Sequence, residues 1–456
     1  MWKCPFAFLG NKVQQAEAYP ATDILQLNYD CYLEILSYLN TLEDQLNFAR
    51  AHPKLCEIFM HHARFRYAKI NVRMLESIVD WEYLLELCGS NIQECEVRCG
   101  NWDKDFVLPF MALLGKHCTN LWHMHLIFVQ TYEMTSTQEP AENQDSIMEK
   151  LQELRGLRSL SLGYSNATQM KQLQDINNLE SLYIHGIDVK LSSLDFVQAF
   201  SSMQQLRTLS LYFGSAYSRA QQVPDLATHC PLLEHLTLYM FNANLVDLGD
   251  FVNLKSLHLI ARRNLAIETS LYRSLTTKYA NRLQLLEIKN VKIEHHQANY
   301  IVRLKALRAL LCDRWPIVAW PLLSQLTELE CLQLKEHVAG GNESASTDVL
   351  LNVIADLTKL RHLKLGKQWP IDDTLVSAVR EVLCRRTGAK SGEEHIPFVL
   401  TLSSDLAPEL ENKLSVLRLG YFLRVDLSGS TTCQHCKLDG PDDVYPKQVL
   451  GITCWD

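Results

Sequence analysis

The chain has 456 residues, too many for one conventional core, because single cores stop growing near roughly 250–300 residues; it holds either two domains or an elongated array of repeats. Apolar residues make up 47% and charged residues 21%, the composition of a folded chain and not of a disordered one. A formal net charge of −8 argues against nucleic acid or an anionic membrane as the main partner.

Residues 1–22 form an N-terminal segment whose first ten positions carry only Lys3 and a short apolar run. The length and small-residue cleavage site of a signal peptide are missing, and no stretch approaches the ~18–20 apolar residues of a membrane span. Fourteen cysteines are scattered along the chain, which reads as reduced, mostly buried thiols in the cytoplasm and/or nucleus.

Residues 23–66 read as three short helices. Leu33, Leu36 and Leu39, with Ile35, give a first amphipathic helix. Glu43 and Asp44 sit where a second would start, at the end that favours acidic groups. Pro53 ends the second or opens a third, Lys54–Arg66. Leu27, Asp30, Leu33, Ile35, Leu36, Ser37, Tyr38, Leu39 and Asp44 together resemble the F-box, the helical motif by which substrate receptors dock on Skp1–cullin–F-box ubiquitin ligases. The segment departs from that family at Asn28 in place of proline, Gln45 after the aspartate, His52 at a cysteine position and Leu55 at a tryptophan position. The resemblance covers this segment alone. It implies an apolar surface that docks a Skp1-type adaptor and, through it, a cullin. Leu27, Leu33, Ile35, Leu36, Leu39, Leu46 and Phe48 are the candidates, some of which must instead pack the three helices together. The alternative is that these helices only cap the remainder of the chain.

From residue 70 to 430 one pattern recurs: Leu-x-x-Leu-x-Leu, with occasional Ile, Val, Met or Cys in the leucine slots. Strong copies start at Leu157, Leu179, Leu206, Leu233, Leu254, Leu283, Leu329 and Leu360; weaker ones start at Ile92, Leu121, Leu307 and Leu414. Starts from Leu157 to Leu360 lie 21 to 31 residues apart, close to the ~20–29 of a leucine-rich repeat. A cysteine three residues ahead of the first leucine (Cys118, Cys230) resembles the longer, cysteine-containing repeats of that class. The expected fold is therefore α/β: a leucine-rich-repeat solenoid with parallel strands on the concave face and helices outside, preceded by the three-helix module. Tyr300–Leu311 and Asp348–Leu357 have helical apolar spacing. Thr131–Lys150, Ala339–Thr347 and Arg385–Glu394 read as polar loops or insertions.

The residues between the leucines point onto the concave face. Its middle is rich in Tyr and His, and its later part is more basic. The candidate contacts for a protein substrate are Tyr183, His185, Tyr212, His235, Tyr239 and His258, with Tyr183, Tyr212 and Tyr239 read as one ledge. No phosphate loop, dinucleotide fingerprint, His-Glu-x-x-His or Gly-x-Ser-x-Gly occurs, so neither catalysis nor a cofactor is expected. In the tail, residues 431–456, Cys433, His435, Cys436 and Cys454 make a weak zinc set; ordinary thiols are the simpler reading, and no metal is expected. Two functions compete: a receptor subunit of a ubiquitin ligase, or a binding scaffold whose N-terminal helices are only a cap.

Overall fold

Alternate leucines on a short strand share one side of it, so strands that repeat the pattern stack leucine on leucine. The computed structural model describes residues 24–99, 104–128, 141–163, 167–185, 192–213, 219–240, 245–334, 343–366, 369, 373–387, 398–402 and 423–426. Among them, fourteen parallel strands lie in one sheet in strict chain order. They are β1 (Lys69–Asn71), β2 (Glu94–Cys99), β3 (His123–Phe128), β4 (Ser159–Gly163), β5 (Ser181–His185), β6 (Thr208–Tyr212) and β7 (His235–Met240), then β8 (Ser256–Ala266), β9 (Leu285–Lys292), β10 (Ala309–Cys312), β11 (Cys331–Leu334), β12 (His362–Leu365), β13 (Phe398–Thr401) and β14 (Leu423–Asp426).

The register places Leu160, Leu182, Leu209, Leu236, Leu257, Leu286, Leu310, Leu332, Leu363 and Leu400 directly beside one another across ten strands. All ten are buried. The turn ahead of several strands is built alike. Its third-last residue is buried, and that carbonyl accepts from the first leucine's N–H: Leu121 to Cys118, Leu206 to Met203, Leu233 to Cys230, Leu254 to Phe251. This slot is where the register cysteines fall.

Eleven of the twelve expected copies coincide with β2–β12. The copy at Leu414 lies outside the described residues, and β13 pairs directly with β14. Three strands carry the pattern in a form too degenerate to read: Tyr67-x-x-Ile70-x-Val72 at β1, Leu400-x-Leu402 at β13, and Val425 in the central slot at β14.

Helices cross the outside. α1 (Tyr29–Tyr38), α2 (Leu42–Ala51) and α3 (Pro53–Arg66) form the module; α4 (Ile78–Cys88), α5 (Lys104–His117), α6 (Ala141–Gln152), α7 (Ala167–Gln172), α8 (Ser193–Gln198), α9 (Thr269–Tyr279), α10 (His295–Ile301), α11 (Glu343–Asp356) and α12 (Asp373–Thr387) come after it. Three expectations need correction. The polar stretches contain α6, the start of α11 and the end of α12, because exposed polar positions suit the outer side of a helix as well as a loop. Tyr300–Leu311 is not one helix: α10 stops at Ile301 and Ala309 already belongs to β10. Some returns are 3₁₀ segments, Arg219–Thr228 and Ile317–Gln325. The segment 245–254 has neither helix nor strand and is braced instead by side chains. Asp247 accepts from Leu248 N (2.7 Å), Lys278 (2.7 Å) and Ser274, and Tyr279 Oη bridges Gly249 O and Phe251 N.

The module is joined to the array without a spacer. α3 ends at Arg66, and Tyr67 already occupies the first apolar slot of β1. Tyr67 Oη donates to Gln45 Oε1 (2.6 Å), whose Nε2 donates to Leu39 O (2.7 Å). Arg50 pairs with Asp80 (2.5 Å) while its guanidinium lies over the Tyr83 ring. One continuous apolar core runs from Tyr32 to Leu423. Eight described cysteines are free thiols, five of them buried. Cys331 departs from the expected reduced state: it is disulfide-bonded, to none of those eight.

Candidate functional site

Two surfaces matter: the module and the concave face. In the module, the departures from the F-box pattern are local structural devices. Asn28 caps α1, its Oδ1 accepting from Cys31 N (2.9 Å). Thr41 caps α2 through Asp44 N (3.1 Å) and donates to Asp44 Oδ2. His52 Nδ1 accepts from Lys54 N (3.1 Å) at the start of α3, with Pro53 in the first turn. Such caps hold a helix end by about 1 kcal/mol. Gln45, in place of the usual leucine, is buried and serves the junction with Tyr67.

The seven candidate adaptor contacts divide. Leu36 and Leu46 are fully buried and cannot reach a partner; this corrects their assignment, since they are the pins between the three helices. Leu27, Leu33, Ile35, Leu39 and Phe48 are half-buried. Missed by the sequence reading are Tyr38, 73% exposed, Ile24, 48% exposed, and Tyr29. A helical wheel would have found Tyr38, which stands two residues, about 200°, from buried Leu36. α1 thus presents Tyr38 flanked by Asp30 and Glu34, with Leu33 at the edge.

On the concave face, register sorts the candidates into three parallel rows. His185, Tyr212 and Tyr239 stand side by side on β5, β6 and β7, followed by Ile260 on β8. Their rings are 6.3 and 5.8 Å apart. Tyr183 is not in this row. It is registered with Ser161 and Ser210, two residues earlier along its strand, and is only 7% exposed. The ledge is therefore His185–Tyr212–Tyr239, a correction that follows from the two-residue strand period. His235 lies in a third row beside Thr208 and Ser256, and His258 lies between Thr237 and Glu287.

The electrostatics differ along the face. Burial pushes the imidazoles of His125 and His185 down to about 4, with the charge of His125 as a lesser cause at His185, so both are neutral at pH 7. Burial lowers His123 as well, and its Nδ1 meets Ser159 Oγ at 2.7 Å. Burial pushes the Tyr183 phenol up to about 12. Burial alone would raise Glu287, but His258 (2.6 Å) and Lys289 (2.6 Å) hold it down at about 2.

Ser256 Oγ, His258 and Glu287 form a hydrogen-bonded series, 2.8 then 2.6 Å, in the order of a hydrolase triad. Ser256 is buried and its strand is paired on both sides, so the series works as a polar brace between β8 and β9. Among the described residues, no group of three or more His, Cys, Asp or Glu is placed to hold a metal, and no helix is long and apolar enough to cross a membrane. The possible zinc set, Cys433, His435, Cys436 and Cys454, lies outside the described residues.

Among solved structures, the chain is similar to an internalin from Listeria monocytogenes, at 14% identity and a TM-score of 0.35, over 70% of this chain and 86% of that one. It is also similar to TLR13 from a complex with ssRNA13, at 16% identity and a TM-score of 0.38, over 66% of this chain and 43% of that one. No family model matches the chain, and no curated protein matches it.

Proposed function

We propose that this chain is the substrate-recognition subunit of an SCF-type ubiquitin ligase, acting in the cytoplasm and/or nucleus. The helical module docks a Skp1-type adaptor and, through it, a cullin; the concave face of the leucine-rich repeats holds the target protein. The chain performs no chemistry itself, needs no cofactor, and has neither nucleic acid nor membrane as its main partner. The observation that carries this reading is the division within the module. Leu36 and Leu46 already pin the helices together, yet Tyr38, Ile24 and part of Leu33 remain uncovered, more apolar surface than a mere cap requires. The His185–Tyr212–Tyr239 row is the ledge for the target, since half-buried aromatic rings make good anchors. The junction through Gln45, Tyr67 and Arg50 fixes the direction in which a held target faces.

The test is a pull-down of adaptor and cullin by the full chain and by a Leu33→Asp/Tyr38→Asp surface variant. Adaptor captured by the wild type and lost with the folded variant supports the receptor. No capture by the wild type leaves a capped binding scaffold.

A further inference from the structure

A second exposed feature of the module shares Tyr29 with that surface but is not explained by it. Phe65, in the last turn of α3, is 78% exposed, the most open large apolar residue among those described. Arg64 and Arg66 flank it, both exposed, and the Arg64 guanidinium lies 5.7 Å from its ring. One turn earlier on the same face His61 meets Tyr29 edge-on, at 5.2 Å between centroids, and the Tyr29 hydroxyl bonds its Nδ1. Tyr29, His61, Phe65 and Arg64 therefore form one continuous aromatic and cationic ridge. Neither arginine makes an ion pair among the described residues; Arg66 meets only His62, at 3.3 Å. Positions 58–75 hold no Asp or Glu, although the whole chain carries −8, and the nearest acid on this helix face, Glu57, stands two turns from Arg64.

The negative end of the α3 dipole accounts for basic residues in its last turn. It does not account for a phenylalanine held open between them. Burying that ring against a partner is favourable, and guanidinium groups pair carboxylates in bidentate fashion. We propose that this ridge docks an acidic segment of a partner protein that carries an apolar side chain for Phe65. An anionic membrane is the weaker occupant. One phenylalanine and two arginines give only marginal anchoring, and the net negative charge of the rest of the chain opposes approach.

The probe is a fluorescein-labelled peptide alternating glutamate and leucine, titrated into the full chain and followed by anisotropy. Arg64→Glu/Arg66→Glu and Phe65→Ser are compared with the wild type, their folds checked by circular dichroism and urea midpoint. The expected result is saturable binding that weakens as salt is raised, about tenfold or more weaker in the arginine variant and about threefold or more in Phe65→Ser. Equal binding by wild type and arginine variant would overturn the proposal. So would phosphatidylserine vesicles being retained when the peptide is not, which would make this a lipid surface. The same variants are tested for adaptor capture; losing it together with peptide binding would make the ridge part of the adaptor surface and overturn an independent site.

Discussion

The solenoid and the helical module obey different rules of legibility. In the solenoid a slot has one fate: the central leucine is buried on every strand from β4 to β13, because each coil lies on an identical neighbour. In the module, leucines three residues apart part company: Leu36 is buried while Leu33 and Leu39 are half open. A periodic array averages its environment over many neighbours, whereas three short helices have few core positions, and each is decided by one contact.

The contrast breaks most visibly under charge insertion. Leu236→Asp places a carboxylate between the buried leucines of β6 and β8 and should cost about 5 kcal/mol or more, abolishing the urea transition. Leu33→Asp, on the half-open face of α1, should cost about 1 kcal/mol and leave circular dichroism unchanged. Equal damage from both would end the distinction.

Acid probes a second difference, within the solenoid itself. His125 and His185 titrate near 4 in the folded chain against 6.5 ordinarily. Between those values the unfolded chain binds protons that the folded chain does not, so stability falls as pH falls from about 6.5 to about 4. The upper bound is about 3 kcal/mol for each histidine. Glu287 acts in a separate window: its contribution is present above about 4.3 and is lost as pH falls through about 2. Urea midpoints across the upper window should fall less steeply for His125→Gln/His185→Gln than for the wild type.

Gly249 sharpens the picture of the helix-free segment 245–254. Its φ is 83°, and a Cβ there would stand 2.6 Å from Pro224 O, which is backbone. Gly249→Ala should cost about 2–3 kcal/mol, read as a lowered urea midpoint. An unchanged midpoint would mean that the brace through Asp247 and Tyr279 yields without loss.

The smallest effect lies on the rim. From β4 to β8 the position after the first leucine alternates in charge: Arg158, Glu180, Arg207, Glu234, Lys255. Arg158 pairs with Glu180 (2.6 Å), and Glu234 takes both Arg207 and Lys255 (2.6 Å). The hydrogen bond from Lys255 holds the Glu234 carboxyl below its usual range despite some burial, with Arg207 adding to the effect. Exposed pairs contribute little, so Glu234→Gln should cost at most about 1 kcal/mol, shrinking further in high salt.

The sequence by itself determined the solenoid, the parallel order of its strands and eleven of the strand positions, because the leucine spacing and the two-residue strand period follow from covalent geometry. It also marked the module and its three helices through Pro53 and the acidic start of α2. It did not determine where degenerate rungs such as β1 and β14 would fall, since a neighbouring coil supplies the register that their own residues lack. Only the tertiary structure decided which module leucines face outward, that Tyr183 leaves the aromatic row for His185 to join, and that Ser256, His258 and Glu287 brace one another. Each of these depends on which residue of another strand or helix stands opposite, and that is fixed only when separate parts of the chain are packed together.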